Sequence, residues 1–441
     1  MVATALDQLP DSPDSRRRDW QIISMIGVAH SSSHFFQLVL PTLFLPLAAE
    51  FGYDFVELGF LVSVFFLISS FGQAISGFVV DRTGPTLVLR FGLACFVVAG
   101  VLLGLASGYA MLLLAAAIGG IGNSVFHPVD FSIINGRVST RRLGHAYSTH
   151  GFTGNLGWAI TPIYMSALIH LADWRVAAFG AAALVAVVLF VVWLGRDLLA
   201  SDEEKAGLVW SGKSTPIAAK PAPTGGSAAE QDLSGETVLN TLAILLSKPA
   251  LWGAFFFFVC TTFALSAVQN YTIPMLGDVY GIDKVLAGTT LSGYMLASAL
   301  GMITGGFLVG ATPHNERTVA LSLICAGLFL VLLASGVLEP SLAMVVVGVA
   351  GFCAGVATPS RDMLIRSAAP KGATGTVYGL VYSGMDVGGS LGPVVFGLML
   401  DAGYSQGPWL GAATAFVVAS GLAYMVARAV ARSARAVPAV G

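Results

Sequence analysis

Residues 174–195, WRVAAFGAAALVAVVLFVVWLG, hold a single charge in a run long enough to cross a bilayer, and the chain repeats such runs about twelve times. A spanning helix needs about 20 mostly apolar residues, with every backbone polar group satisfied inside the segment. By that measure the spans are 20–48, 55–80, 86–107, 109–136, 143–171, 174–195, 249–277, 284–310, 316–336, 341–367, 373–401 and 408–431. Of 441 residues, 56% are hydrophobic and 10% charged, against about 25% charged in a soluble domain. Such a chain cannot cover itself with polar groups in water. The expected fold is an all-α integral membrane protein of about twelve transmembrane helices.

The spans set the organisation. A tail over 1–19 precedes a six-helix bundle over 20–195, and a second bundle covers 249–431 before a tail over 432–441. Between the bundles, 196–248 is rich in Pro, Gly, Ser and charge and reads as a mobile linker, its end TVLNTLAILL as a short surface helix. Arg16-Arg17-Arg18 precedes the first apolar run with no small-residue cleavage site, so no cleavable leader is expected. With the N-terminus in the cytoplasm, only Arg175 and Lys284 among the basic residues fall outside, which places both termini inside. The four cysteines stand singly in apolar segments and suggest neither a disulfide frame nor a metal site. A net charge of −2 leaves no basic footprint, and no nucleic-acid partner is expected.

The two halves are copies. A shift of 231 residues sets Pro128 on Pro359, and the same shift pairs Gly144 with Gly375, Tyr147 with Tyr378, Gly157 with Gly388 and Pro162 with Pro393. Two six-helix copies, related by an axis along the membrane normal, are the pattern of a transporter that rocks about a central site.

The stretch SGFVVDRTGPTLVL joins the second and third spans, and its Gly77, Asp81, Arg82 and Gly84 resemble the loop signature of the major facilitator superfamily. That resemblance implies a gate in which an Asp–Arg pair locks one conformation and releases it as the halves move. The chain departs from the pattern at Pro85-Thr86, where basic residues are usual, and its second copy has Gly310 in place of the acid. GNSVFHP (122–128), GNLGWAITP (154–162) and the histidine-rich first span look like the branch that contains fosmidomycin-resistance efflux proteins. The resemblance implies twelve helices, alternating access, proton coupling and a bacterial-type inner membrane, and it leaves the substrate open.

Polar residues inside spans mark the candidate site, because ionisable groups there are expensive. His30, His34 and Gln37 fall at i, i+4 and i+7 and share one face of the first span. They are either a cavity stripe with a titratable pair or hydrogen-bonded glue between helices. The serines between them are expected to bond back to their own helix. His127 and Asp130 share a face beside Pro128, and the repeat offers Arg361, Asp362 and Arg366. His127 is assigned to substrate, Asp130, Asp362 and Arg366 to the gate, and Arg361 to either an anion clamp or the gate. Asp386 lies mid-span where its repeat partner is the neutral Asn155, which suits a single proton carrier working with His30 and His34; the alternative is a structural acid. Asn155 itself, with Gln269 and Asn270 before Pro274, is assigned to the substrate cavity, and Tyr378 and Tyr382 either stack a solute or pack.

No paired nucleophile and base or metal motif accompanies these groups, so an enzyme is not expected and no cofactor is implied. The absence of a GxxxxGK[ST] loop leaves an ion gradient as the energy source. The reading is a monomeric proton-coupled secondary transporter of a small organic solute, exporting a toxic compound. The alternative is uptake of an organic anion such as a carboxylate or phosphonate.

Overall fold

The computed structural model describes residues 11–200, 202–205, 248–312, 314–368 and 374–435, and its regular structure over them is helical. The chain divides into two compact units: Met1–Tyr53 with Phe60–Lys220, and Asp54–Gly59 with Pro221–Gly441.

In the first unit, α1 (Pro13–Gln37) opens on Ser12, whose hydroxyl accepts the Ser15 N–H. It stops where Pro41, four residues on, has no N–H to offer the Gln37 carbonyl. The chain continues through α2 (Val39–Thr42) and α3 (Phe44–Phe51), which Gly52 ends at φ +74°. The first expected span is therefore three helical pieces. α4 (Phe55–Thr83) turns at Gly84, φ +86°, into α5 (Pro85–Gly104). The fourth expected span is likewise split into α6 (Tyr109–Asn123) and α7 (Phe126–Arg137). Pro128 cannot donate to the Ser124 carbonyl, and the Ser76 hydroxyl of α4 donates to it instead at 3.0 Å. α8 (Leu143–Leu171) and α9 (Trp174–Leu194) follow, and the segment read as linker begins with the short helices α10 (Arg196–Leu199) and α11 (Asp202–Lys205).

Stacked rings of Phe36, Phe96 and Phe126, with centroids 4.6 and 5.3 Å apart, tie α1, α5 and α7 together. In lipid such contacts hold helices by packing rather than by release of water, so close approach matters. It is closest between α1 and α8. A Cβ on Gly157 would run into the Ser31 carbonyl, and Thr161 donates to the Phe35 carbonyl at 3.0 Å. Outside the spans, Arg142 grips Asp19 at 2.8 Å and Asp11 at 2.9 Å, fastening the start of α1 to the α7–α8 corner. Arg142 is the main reason the Asp11 carboxyl is held below its ordinary range.

The second unit comprises α12 (Pro249–Tyr280), α13 (Lys284–Ala311), α14 (Asn315–Ala334), α15 (Pro340–Ala368), α16 (Thr374–Asp401) and α17 (Gly407–Arg435). Here Gly388, the repeat partner of Gly157, brings α16 against the Val259 carbonyl of α12. The same small residue serves the same close crossing in each unit.

Ten helical stretches among the described residues are long and apolar enough to cross a membrane. The two expected spans that fall short are the first and the fifth, which α1 and α8 occupy. These two carry the polar groups of the site.

Candidate functional site

The break between α6 and α7 places His127 and Asp130 in the opening turns of α7, against α1 and α8. Asp130 is fully buried, and its Oδ2 is 3.1 Å from His150 Nε2 of α8, in hydrogen-bond alignment. His30 Nδ1 of α1 stands 3.0 Å from the same oxygen but off the line of a hydrogen bond. The His30 and His150 rings stack at 3.5 Å, with His34 4.6 Å and His127 5.5 Å from His30. Two imidazoles thus flank one carboxylate, with the rings of His34 and His127 next to His30. Among the described residues, Asp130 Oδ1 and His34 Nδ1 are buried with no hydrogen-bond partner. Gly154 makes room for it, since a Cβ there would meet His34 at 2.9 Å and His30 at 3.1 Å.

A neutral relay runs alongside. Trp158 Nε1 donates to Gln37 Oε1 at 2.9 Å, Gln37 Nε2 to Asn123 at 3.1 Å, and Asn123 Nδ2 to Ser69 at 2.8 Å. The Trp158 ring leans on His34 at 4.3 Å, coupling the relay to the cluster. His127 Nδ1 lies 3.2 Å from Gln73 Oε1, which fixes its ring.

The structure therefore brings together His30, His34, Gln37, His127 and Asp130 within the first unit. Asp130, assigned to the gate, sits instead among the histidines. Ser32 and Ser33 bond back to the Val28 and His30 carbonyls, as expected of them. Asn155 is buried and donates to Gly151 of its own helix. The sequence reading missed His150, Trp158, Asn123, Ser69 and Gln73. His150 had a signal, because its repeat partner is Val381, an asymmetry of the kind that singled out Asp386.

In the second unit Arg361 donates from Nε to Asp362 at 2.9 Å and lies over the Phe258 ring at 4.8 Å. Gln269 and Asn270 are buried on α12, and the Asn270 amide donates to the Ser266 carbonyl at 2.7 Å. Asp386 is half-buried, and among the described residues nothing bonds to its carboxylate. The side chains of Asp81, Arg366, Tyr378 and Tyr382 lie outside the described residues. Arg82 is exposed, Gly77 faces open space, and Gly84 makes the α4–α5 corner. Behind that corner Glu204 of α11 accepts from the Thr86 N–H at 3.1 Å and the Thr86 hydroxyl at 2.6 Å. An acid from the linker thus occupies the place where basic residues were expected.

The ligand atoms of His30, His34 and His127 lie within 4.8 Å of one another, as do those of His30, Asp130 and His150, a spacing that a divalent ion could also bridge. With a carboxylate and four imidazoles in one cluster, the chemistry on offer is exchange of a proton between neighbours. A single carboxylate balances a single imidazolium, and a second charge on rings this close would meet repulsion.

Comparison with known proteins agrees in kind. The chain is 26% identical to the fosmidomycin resistance protein of Escherichia coli K12, over 88% of this chain and 89% of that one. It is 22% identical to a probable L-galactonate transporter of the same organism, over 82% and 78%. The membrane sensor protein UhpC of E. coli is 23% identical over 84% and 82%. In fold, a bacterial homologue of the human lysosomal transporter Spinster, solved inward-facing and unoccupied, superposes with a TM-score of 0.70 at 15% identity, covering 96% of this chain and 98% of that one. The profile described as Major Facilitator Superfamily matches residues 26–393 and again 268–439, and the chain, a multi-pass membrane transporter rather than an enzyme, belongs to that superfamily.

Proposed function

We propose that this transporter is a proton-coupled exporter of a small organic solute, working by alternating access as a monomer in a bacterial inner membrane with both termini cytoplasmic. The observation that carries the reading is the buried Asp130 carboxylate set against His30 and His150. Burying ionisable groups within spans is costly, and their retention points to work on an ion. In this reading His30 and His34 pass the proton, with Asp130 and His150 as counter-charge and neighbour. Asp386 supplies the carboxylate of the second half, as the asymmetry with Asn155 suggests. His127, Gln37, Asn155, Gln269, Asn270, Arg361, Tyr378 and Tyr382 face the solute. Gly77, Asp81, Arg82, Gly84, Asp362 and Arg366 form the gate. The relative named for fosmidomycin resistance supports export.

The test is transport into vesicles under an imposed pH gradient. His34→Gln is expected to bind solute and to exchange it down its own gradient, yet to fail at accumulation driven by pH. Normal pH-driven accumulation in that variant would return the histidines to a purely structural role.

Uptake of an organic anion is the second reading, favoured by relatives named as a probable L-galactonate transporter and a probable hexose phosphate transport protein. Arg361→Lys separates the two, because an anion clamp needs the planar guanidinium fork. Affinity should fall in the Lys variant as in Ala if Arg361 holds an anion, and survive in Lys if it serves the gate.

A further inference from the structure

Opposite the histidine face, α1 presents Arg17, Gln21, Ser24 and Val28, spaced i, i+4, i+7 and i+11, all exposed. With Val188 and Val191 of α9 they line a groove of about 520 Å³ within the first unit, which Trp20 and Met25 also border. Its lining is graded. Arg17 stands at one end, Gln21 about 6 Å deeper and Ser24 about 10 Å deeper, and the rest is hydrocarbon. Among the described residues the side chains of Arg17, Gln21 and Ser24 make no hydrogen bond or ion pair, while the neighbouring Arg16 is paired with Asp11 and Arg142 with Asp11 and Asp19.

On the outer face of α1, these three polar groups, which no described residue pairs, call for polar partners. The order of the lining, a cation, then donors, then apolar surface, matches the order of a glycerophospholipid read inward: phosphate, ester carbonyls, acyl chains. Trp20 lies beside Arg17 with an exposed ring, as tryptophans do at headgroup level. We propose that this groove is a binding site for one anionic glycerophospholipid, its phosphate on Arg17 and an acyl chain along Met25, Val28, Val188 and Val191. The charge of Arg17, with no described carboxylate set against it, selects an anionic headgroup over a zwitterionic one.

Native mass spectrometry of the purified full chain, offered phosphatidylglycerol and phosphatidylcholine with matched acyl chains, reads the site directly. Phosphatidylglycerol is expected to be retained over phosphatidylcholine, and Arg17→Gln to weaken its retention about fivefold. Val191→Trp, which fills the apolar floor, should displace both lipids. Excess inorganic phosphate should leave the adduct in place; displacement by it would mean a free-anion site instead. In vesicles of brominated phosphatidylglycerol, wild type should be quenched more than Trp20→Phe. Equal retention of the two lipids, unchanged retention in Arg17→Gln, or equal quenching with and without Trp20 would overturn the proposal. Gel filtration shows whether each variant is folded.

Discussion

The interiors of the two units differ although their sequences repeat. In the first, ionisable groups are concentrated: four imidazoles and Asp130 in one cluster, with a relay from Trp158 to Ser69 beside them. In the second, the buried polar side chains among the described residues are neutral, and Ser266 Oγ, Gln269 Nε2, Thr272 Oγ1, Ser292 Oγ and the Tyr294 hydroxyl have no hydrogen-bond partner among them. A buried polar group without a partner costs about 1–3 kcal/mol, so retaining several of them calls for an explanation. One copy has kept a titratable cluster; the other has kept neutral donors and acceptors. The repeat fixes where helices cross, through Gly157 and Gly388, and leaves the chemistry of each interior to diverge.

The largest test of that contrast compares its two acids. Asp130→Ala should lower stability by about 1–3 kcal/mol, since it leaves the buried His150 nitrogen without its hydrogen-bond partner. Asp130→Asn should keep the fold but abolish pH-driven accumulation. Asp386→Asn should change stability by less than about 1 kcal/mol, because no described group bonds to that carboxylate. Thermal unfolding in detergent checks the stabilities, and equal losses at the two positions would erase the contrast.

Gly157→Ala and Gly388→Ala come next. Each methyl would collide with a backbone carbonyl of the facing helix, of Ser31 or of Val259, and about 1–3 kcal/mol should be lost at either site. Stability should fall alike, whereas only Gly157→Ala should disturb proton coupling, by moving α8 away from the histidines of α1. Denaturation paired with vesicle transport separates the two effects.

Trp158→Phe should remove about 1 kcal/mol with its hydrogen bond to Gln37. Gln269→Leu, which deletes a donor that has no partner, should be close to neutral in stability but weaken solute binding. Calorimetry with a transported solute reads the second effect.

The smallest difference lies at the helix ends. Glu50 accepts from Arg175 at 2.8 Å and from Trp174 at 2.5 Å, while the tie at the matching corner of the second unit is a single 3.4 Å hydrogen bond from Ser405 to Asp278. Arg175 first, and then Trp174, hold the Glu50 carboxyl below its ordinary value of 4.5. A depressed carboxyl stabilises the fold above its unfolded pKa, and the contribution fades as pH falls through the lower folded value. Glu50→Gln should therefore lower the melting temperature slightly at neutral pH, by less than about 1 kcal/mol for so exposed a pair, and not in acid. Asp278→Asn should shift it at neither pH.

Much of this was legible in the sequence. The face of His30, His34 and Gln37 follows from helical spacing, and the spans follow from their length. The breaks at Pro41 and Pro128 were written in the prolines, but an apolar run overrides them when spans are read by length alone. The histidine neighbours of Asp130 were not legible, because depth along one helix says nothing of which side chains a neighbouring helix brings. His150 was hidden for that reason, twenty residues further on (130 to 150) and on another helix. Contacts across helices are not periodic, and only the asymmetry of the repeat marks them.

The meeting of α1 with α8 also has a consequence for how the chain is made. His30 leaves the ribosome 120 residues ahead of His150 (30 to 150), and at roughly 5–20 residues per second that is an interval on the order of ten seconds. For the first 100 of those residues (30 to 130) Asp130 is absent as well, so the histidine face of α1 is made before the groups it packs against. The first helix to be translated therefore completes its contacts only when α8 arrives.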